Sequence, residues 1–430
     1  MPKGNQKINR TIAKVVVDGK IAQDLPVMIF NGRMVPLFTI IHPDRCIICG
    51  SSLKINEHYD RYIISSYGII MVPTIYWICS NPGCEKHHTD IIIGVTGPAN
   101  YSDEFIEKEK CVRYNGRCTL WNTNAVGRIF TQGLTDTSGR APCPTTIWIY
   151  EQKGGKISTQ KLLTQEIKFD GSLHIDGYWV KMGWRTFIEE QLGRELTDSE
   201  WNRIRYKVIY VVATKEKVVI DFEITDNMIS HAELIPLLNR IKNRIPEAQI
   251  NKIVSDEDDA IIGAVKQVFP KAAHSFCVFH QMENVAKKFR DEFKHKEDIP
   301  LQDLEIYETA NELIVAENAI ESTILHRKII GIAKNTGLSE ASRKVIKYIK
   351  KIILNNIKLL AKGFLPETNN VMEQLFSLIN DFVTQTRSLK TEGGMKNFFT
   401  NLFVYFNKRP FNTGRWRGLS PIERANILNS

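Results

Sequence analysis

The chain has 430 residues, 43% apolar and 24% charged, as a soluble globular protein of roughly two to four domains would have. Its net charge of +9 and pI of about 9.0 point to a polyanionic partner, DNA or RNA before an anionic membrane. No apolar run reaches the ~18 residues of a membrane-spanning helix, and the start, MPKGNQKINRTIAKVVVDGK, lacks the apolar stretch of a secretory signal, so a membrane partner is excluded and a reducing, cytoplasmic location is expected.

Residues 1 to about 100 are rich in β-branched and aromatic residues, as in YIISSYGIIMVPTIYWIC and TDIIIGVTG, and read as short strands and turns. Within them CIICG places Cys46 and Cys49, and CSNPGC places Cys79 and Cys84. Both pairs stand beside Gly, which permits tight turns around a tetrahedral ion, and the stretch between them reads as a strand pair. In a reducing compartment the eight cysteines are better metal ligands or buried thiols than disulfides. We therefore expect these four to hold a structural Zn²⁺ in a zinc-ribbon-like domain over residues 1–100. The second pair has four intervening residues rather than two, so His87 or His88 could replace a ligand. Cys111, Cys118 and Cys143 are expected to be buried thiols.

Residues 101–155 read as short helices punctuated by Gly and Pro. LWNTNAVGRIFTQGLTDTSGRAPCPTTIWIYEQK predicts a helix-turn-helix. Ala125, Val126, Ile129 and Phe130 give its first helix an apolar face, Gly133 breaks it, and Pro144 opens the second. Thr145 and Thr146 would then meet base edges, with Arg128 and Arg140 at phosphates. The link QKGGKISTQK predicts a domain boundary.

From about 167 the pattern changes. KFDGSLHIDGYWVKM, YKVIYVVAT and KVVIDFEIT read as three successive strands. HAELIPLLNRIKNRI then reads as a helix, NKIVSD as a strand, DDAIIGAVKQVF as a helix, AAHSFCVF as a strand and HQMENVAKKFRDEF as a helix. This predicts an α/β fold with a mixed sheet and helices on its faces, its first part at 165–295. Residues 296–365 read as all helix, with Ile346, Ile349, Ile353, Ile357 and Leu360 on one stripe and Lys347, Lys350, Lys351 and Lys358 largely off it. Residues 366–430 return to helices and end in the basic, aromatic tail YFNKRPFNTGRWRGLSPIER.

Three acids have distinctive settings. Asp176 lies within a strand, Asp256 at a strand end beside a helix start, and Glu373 in TNNVMEQLF on a helix whose beginning suits Asn369 and Asn370. Acids so placed can converge on two Mg²⁺ or Mn²⁺ ions ~3.5–4 Å apart, an arrangement that cuts phosphodiesters. Asp258 and Asp259 are expected inside the following helix, Asp170 in a turn before Gly, and Glu367 after a Pro outside the helix start. Cys277 and His280 would be poor ligands for a hard ion, so a structural or supporting role is expected, with His280 orienting a carboxylate or meeting a phosphate.

The segment SDEDDAIIGAVKQVFPKAAHSFCVFHQMENVAKKF resembles the middle of Mutator-like transposases and their prokaryotic insertion-sequence relatives, and the resemblance covers about residues 165–430. It implies an RNase H-like core with an Asp-Asp-Glu triad, here Asp176, Asp256 and Glu373. The family's Cys/Asp-x-x-His motif corresponds to CVFH, with Cys277 standing 21 residues after Asp256. The family's helical insertion corresponds to 296–365, and the tail is similar to that of other Asp-Asp-Glu transposases. The resemblance implies a nucleoid-associated enzyme that binds the terminal repeats of an insertion sequence, cleaves DNA, transfers the strand to target DNA, and works as a homo-oligomer on DNA. Two other readings stay open: a non-catalytic DNA-binding protein of transposon origin, and an RNase H-like nuclease that cuts without joining.

Overall fold

The computed structural model describes all residues except 1–9, 18–19, 31–32, 37–38, 66–67, 96–100, 132–140, 182–184, 227–229, 335–336, 386–390 and 430. The chain divides into two compact units, Met1–Lys153 and Gly154–Ser430.

In the first unit β1 (Arg10–Val17), β2 (Lys20–Phe30) and β3 (Arg33–Pro36) form an antiparallel sheet in that order. Next come β4 (Thr39–Ile41), β5 (Leu53–Ser65), β6 (Gly68–Cys79), β7 (His87–Thr89) and β8 (Ile91–Ile93). β5, β6 and β7 make an antiparallel sheet, and β4 pairs with β8. The strand pair expected between the cysteine pairs is thus the β5–β6 hairpin. Asp90 pins this region: its buried carboxylate accepts from the Ile75 N–H at 2.7 Å and the Trp77 indole at 2.7 Å, and lies 2.8 Å from His42 Nδ1. Among the described residues a buried apolar cluster here comprises Ile63, Val72, Ile92 and Val95.

α1 (Asp103–Asn115), α2 (Leu120–Thr131) and α3 (Pro144–Thr164) follow. Ser102 caps α1 by accepting from the Phe105 N–H, and Arg113 pairs at 2.7 Å with Glu151, both fully buried. Pro144 is the first residue of α3, as expected. The apolar face expected for α2 is not the buried one. Ala125 and Ile129 are exposed and Val126 is half-buried, whereas Thr123, Asn124 and Gly127 are buried. The helix packs through its small and polar side: Thr123 donates to the Thr119 carbonyl, Asn124 to the Pro142 carbonyl, and Gly127 abuts Glu109. Cys111 and Cys143 are exposed and Cys118 is half-buried, so the three are not the buried thiols expected. The link QKGGKISTQK is helical throughout, although the division between units falls within it. Gly155 serves packing, since a Cβ there would lie 2.3 Å from Asn397 Oδ1.

Glu109 is buried, and among the described residues neither carboxyl oxygen has a hydrogen-bond partner. Burial pushes it up from the ordinary 4.5 to about 7. Its folded value lies above its unfolded one, so the folded state holds the proton longer, and stability falls as pH rises from about 4.5 to about 7. Glu109→Gln should abolish this slope, a change on the order of 3 kcal/mol between the ends of the window. Urea melts of both proteins at pH 5 and pH 8 check it, and parallel pH profiles would refute it.

Among the described residues the second unit holds five strands: β9 (Ser172–Lys181), β10 (Tyr206–Thr214), β11 (Val219–Asp226), β12 (Lys252–Ser255) and β13 (Ala273–Phe276), in the order β11-β10-β9-β12-β13. β9, β10 and β11 are antiparallel neighbours, and β12 is parallel to β9 and to β13. α4 (Arg185–Leu192) and α5 (Asp198–Ile204) join β9 to β10, and α5 carries a Thr197–Glu200 capping box. α6 (His231–Arg244) and α7 (Asp259–Val268) cover one face. There Leu237, Leu238, Ile241, Ile261 and Val265 meet Leu173, Ile175, Val212 and Ile253. Strand alternation sends His174 and Asp176 to the opposite face.

α8 (Val278–Arg290), α9 (Leu301–Val315), α10 (Ala319–Ile332) and α11 (Glu340–Ala361) form a helical cluster with its own core. On α11 the expected stripe is largely buried, with Ile357 and Leu360 only partly so; Val345, Tyr348 and Ile352 join it, and the four lysines are exposed. The strand read through CVF stops at Phe276, and Val278 already belongs to α8. α12 (Asn370–Gln385), α13 (Glu392–Lys408) and α14 (Pro421–Leu428) complete the unit. α12 packs on β9 and α13 on β11, where Phe222 and Phe403 meet edge to face at 5.1 Å.

Candidate active site and candidate metal centre

The register of β9 and β12 decides where two of the acids sit. Ser255 pairs with Ile175 in parallel alignment, so the next residue of each strand line, Asp256 and Asp176, stand side by side. Both point away from the α6–α7 face, because Leu173 and Ile253 occupy it three positions earlier. Glu373 lies in the first turn of α12, the helix packed over β9.

Asn369 ties these parts together. Fully buried just before α12, it donates from Nδ2 to the Ile175 carbonyl and to Asp176 Oδ2, each at 3.2 Å, and its Oδ1 lies 3.0 Å from His174 Nδ1. Its backbone N–H donates to Cys277 Sγ at 3.1 Å, and the Cys277 N–H donates to the Ser255 carbonyl at 2.7 Å. Asn369 begins α12 in the backbone sense, its carbonyl accepting from Met372 N–H, but its side chain faces the acid instead of capping the helix. Cys277, buried, therefore has a structural position.

Burial pushes Asp176 up to about 7, and the charges of Asp256 and, more weakly, Glu373 act the same way, against the Gly177 N–H donated at 2.8 Å and His280. Burial also raises Asp256, with Asp258 adding to it. The sulfur of Cys277, then the charges of Asp176 and Asp256, push His280 up to about 9 against its half-burial. A buried and a half-buried acid that repel each other beside an imidazolium fit a divalent cation, which would relieve the uncompensated charge. Glu373 is exposed, and the three acids do not close into a set within 4.8 Å. Acids sharing two ions ~3.5–4 Å apart need not touch.

The competing acids have other partners. Asp258 is the N-cap of α7 rather than a residue inside it; its side chain accepts from the Ala260 N–H at 2.7 Å and from the Tyr210 hydroxyl at 3.1 Å. Asp259 is the first helical residue. Asp170 closes the expected turn by accepting from the Ser172 N–H, and Gly171 there has φ +87°. Glu367 pairs with Lys215 at 2.7 Å and Lys252 at 2.8 Å. Two partnerships escape a reading of the sequence. His174 stands two residues before Asp176 on the same face, a spacing that could have flagged it. Tyr348 of α11 donates to Glu257, the residue after Asp256, and nothing local marks that pairing.

In the first unit, Cys46, Cys49, Cys79 and Cys84 bring their sulfurs within 4.8 Å of one another, the one such group among the described residues. Cys46 and Cys84 are 3.7 Å apart and Cys49 and Cys79 3.4 Å. Four ligands at ~2.3 Å from a tetrahedral ion would be ~3.8 Å apart, whereas a disulfide needs ~2.05 Å. Gly50, φ +70°, follows Cys49, and the Gly50 N–H donates to the Cys46 carbonyl at 2.8 Å, closing the first turn. His88 Nε2 lies 3.3 Å from Cys46 Sγ, beside the four-sulfur set rather than replacing a member. Of the helix-turn-helix residues, Arg128 and Thr145 are exposed, while Thr146 is half-buried with its hydroxyl 3.2 Å from Cys143 Sγ. Arg140 and Gly133 lie outside the described residues.

Residues 215–284 match a family model described as the MULE transposase domain. The match spans 70 of the chain's 430 residues. The matched segment holds Asp256, Cys277 and His280; Asp176 and Glu373 lie to either side of it. No curated protein sequence matches the chain. Among solved structures it is similar to the Drosophila P element transposase strand transfer complex, at 10% identity over 76% of this chain and 90% of that one, with a TM-score of 0.30. It is also similar to the Mos1 strand transfer complex, at 11% identity over 69% and 81%, TM-score 0.18, and to a pre-cleavage Mos1 transpososome, at 10% over 69% and 82%, TM-score 0.17. TM-scores this low carry no weight for the site. Among the described residues no helix is long and apolar enough to cross a membrane.

Asn369→Ala should lower any DNA cleavage by this site ~10–100-fold, as loss of a group orienting a metal-binding carboxylate does. Unsatisfied partners should also cost about 1–3 kcal/mol of stability. A magnesium titration of cleavage beside a thermal melt checks this; a melt that shifts while cleavage at saturating magnesium stays at wild-type level would refute the positioning role.

Proposed function

We propose that the chain is a transposase that cleaves DNA and transfers strands at Asp176, Asp256 and Glu373. The observation that carries this is the β9–β12 register, which sets Asp256 beside Asp176 on the face over which the Glu373 helix packs. In this reading residues 165–295 and 366–430 form an RNase H-like core, consistent with the strand order β11-β10-β9-β12-β13, and 296–365 are its helical insertion. Asp176, Asp256 and Glu373 hold Mg²⁺ or Mn²⁺. When bound, such ions activate the attacking water or 3′-hydroxyl and offset charge at phosphorus. Asn369 fixes the rotamer of Asp176, and Cys277 fixes Asn369. His280, protonated, faces the acids from α8 and offers a donor to a phosphate oxygen.

Residues 1–100 are a zinc-ribbon-like domain in which the four cysteines hold Zn²⁺, and 101–155 bind DNA through Arg128, Arg140, Thr145 and Thr146. The DNA partners are the element's terminal repeats and its target, with two or more copies of the chain assembled on them. The test is incubation of the full chain with magnesium and DNA carrying the ends of the source element. Joined strands are expected. Free nicks alone would favour a nuclease, and binding with no cut a retired enzyme.

A further inference from the structure

The turn between β10 and β11 places Lys217 at φ +74°, a left-handed conformation costing about 1–2 kcal/mol for a side-chain-bearing residue. Gly would adopt it freely, so a lysine there needs a reason in its side chain. Lys217 Nζ donates to the side-chain oxygen of Gln374, the residue after Glu373, and lies 5.2 Å from the centre of the Phe411 ring. Phe411 opens a tight loop in the tail. Its N–H donates to the Leu419 carbonyl and its carbonyl accepts from the Gly418 N–H, each at 2.9 Å, with Gly414 and Gly418 at φ +80° and +86°. That loop presents Trp416. The Arg415 guanidinium sits 5.1 Å from the Trp416 ring centre, and that of Arg424, from α14, sits 5.4 Å away.

Lys217, Arg415 and Arg424 share one property: among the described residues none is paired with a carboxylate. The neighbouring Lys215 and Lys252 are both neutralised by Glu367. The nearby Glu216 is buried and accepts from Asn429. Arg424 Nε is buried without a partner. Lys217 is held below its ordinary value, first by burial and then by the charge of Arg424, so the two cations repel each other. An indole ring orients a guanidinium without neutralising it and leaves its N–H donors outward. Cations gathered against their mutual repulsion and tethered one residue from Glu373 are preorganised for a polyanion.

We propose that Lys217 over Phe411, with Arg415 and Arg424 against Trp416, forms a phosphate-binding fork that grips the backbone of the DNA strand on the Glu373 side of the acidic site. This rests on the DNA-processing reading above. The fork reads charge, so it imposes no base preference.

The test is a salt titration of duplex binding by the full chain without divalent ion, comparing wild type with Lys217→Gln/Arg415→Gln/Arg424→Gln. The slope of log affinity against log salt should fall by about 2–3, near ~0.9 for each phosphate no longer neutralised. Lys217→Gln alone, at a half-buried turn position, should take about 1 from the slope, which keeps the test decisive if the triple variant melts early. Arg415→Lys/Arg424→Lys, which keeps the charge, should retain the wild-type slope. An unchanged slope in both Gln variants overturns the fork. If the slope falls but wild type neither cuts nor joins DNA, the fork stands and the proposed reaction fails. If wild type joins strands and the slope does not move, the fork alone fails.

Discussion

Asp256→Ala and Asp176→Asn should each abolish strand cleavage, by at least ~10³-fold or about 4 kcal/mol of barrier, while leaving affinity for DNA intact. The expectation follows from the β9–β12 register, since each substitution removes one of two adjacent carboxylates aimed at the same space. Neither should destabilise the fold. Asp176 lies unfavourably in its buried place, pushed up to about 7, so a neutral amide relieves repulsion, while its single acceptor oxygen can keep only one of the hydrogen bonds donated by Asn369 and Gly177. Asp176→Asn should therefore melt near the wild-type temperature while losing the reaction. Asp258→Ala is the internal control. It removes an N-cap and the partner of the Tyr210 hydroxyl, costing about 1 kcal/mol of stability, but leaves both facing acids in place. Cleavage of end-labelled element DNA beside thermal melts decides the matter. Comparable loss of activity in Asp258→Ala, or normal cleavage in Asp256→Ala, would remove the triad.

Removing a metal from the four-cysteine centre should unfold the region around it. A structural zinc contributes an apparent ~10–16 kcal/mol at neutral pH. The full chain should purify with one zinc per molecule. Cys49→Ser/Cys84→Ser or prolonged chelation should release it and open the β5–β6 hairpin to protease. Metal analysis and mapping of cut sites check this. A metal-free chain that resists protease there would mean that the thiols pack as ordinary buried groups.

Much of the second unit was legible because strand alternation and helix periodicity are strong wherever a sheet is covered on both faces. The sequence of five strands, the Asp176 strand and the helical stripe on α11 all follow from local pattern. Errors arose where tertiary packing overrides local preference. Val278 and Phe279 favour strands, yet Cys277 takes its ladder bond from Ser255 and α8 starts at once. Gly154 and Gly155 read as a flexible link, but Gly155 is small so that Asn397 can approach the helix. On α2 Ala125 and Ile129 lie outside because the buried face belongs to Thr123, Asn124 and Gly127. The role of Asn369 was only half visible: its place before a helix is local information, but its grip on Asp176 spans 193 residues.

That span also sets a timetable. Asp176 and Asp256 leave the ribosome long before Asn369 and Glu373, with the helices α8 to α11 emerging in between. Pairings so distant in sequence form late, because closing the chain over them must await the elements between. A growing polypeptide can thus fold its sheet and helical cluster while the three-acid site is still unfinished. The site is completed only when α12 docks over β9.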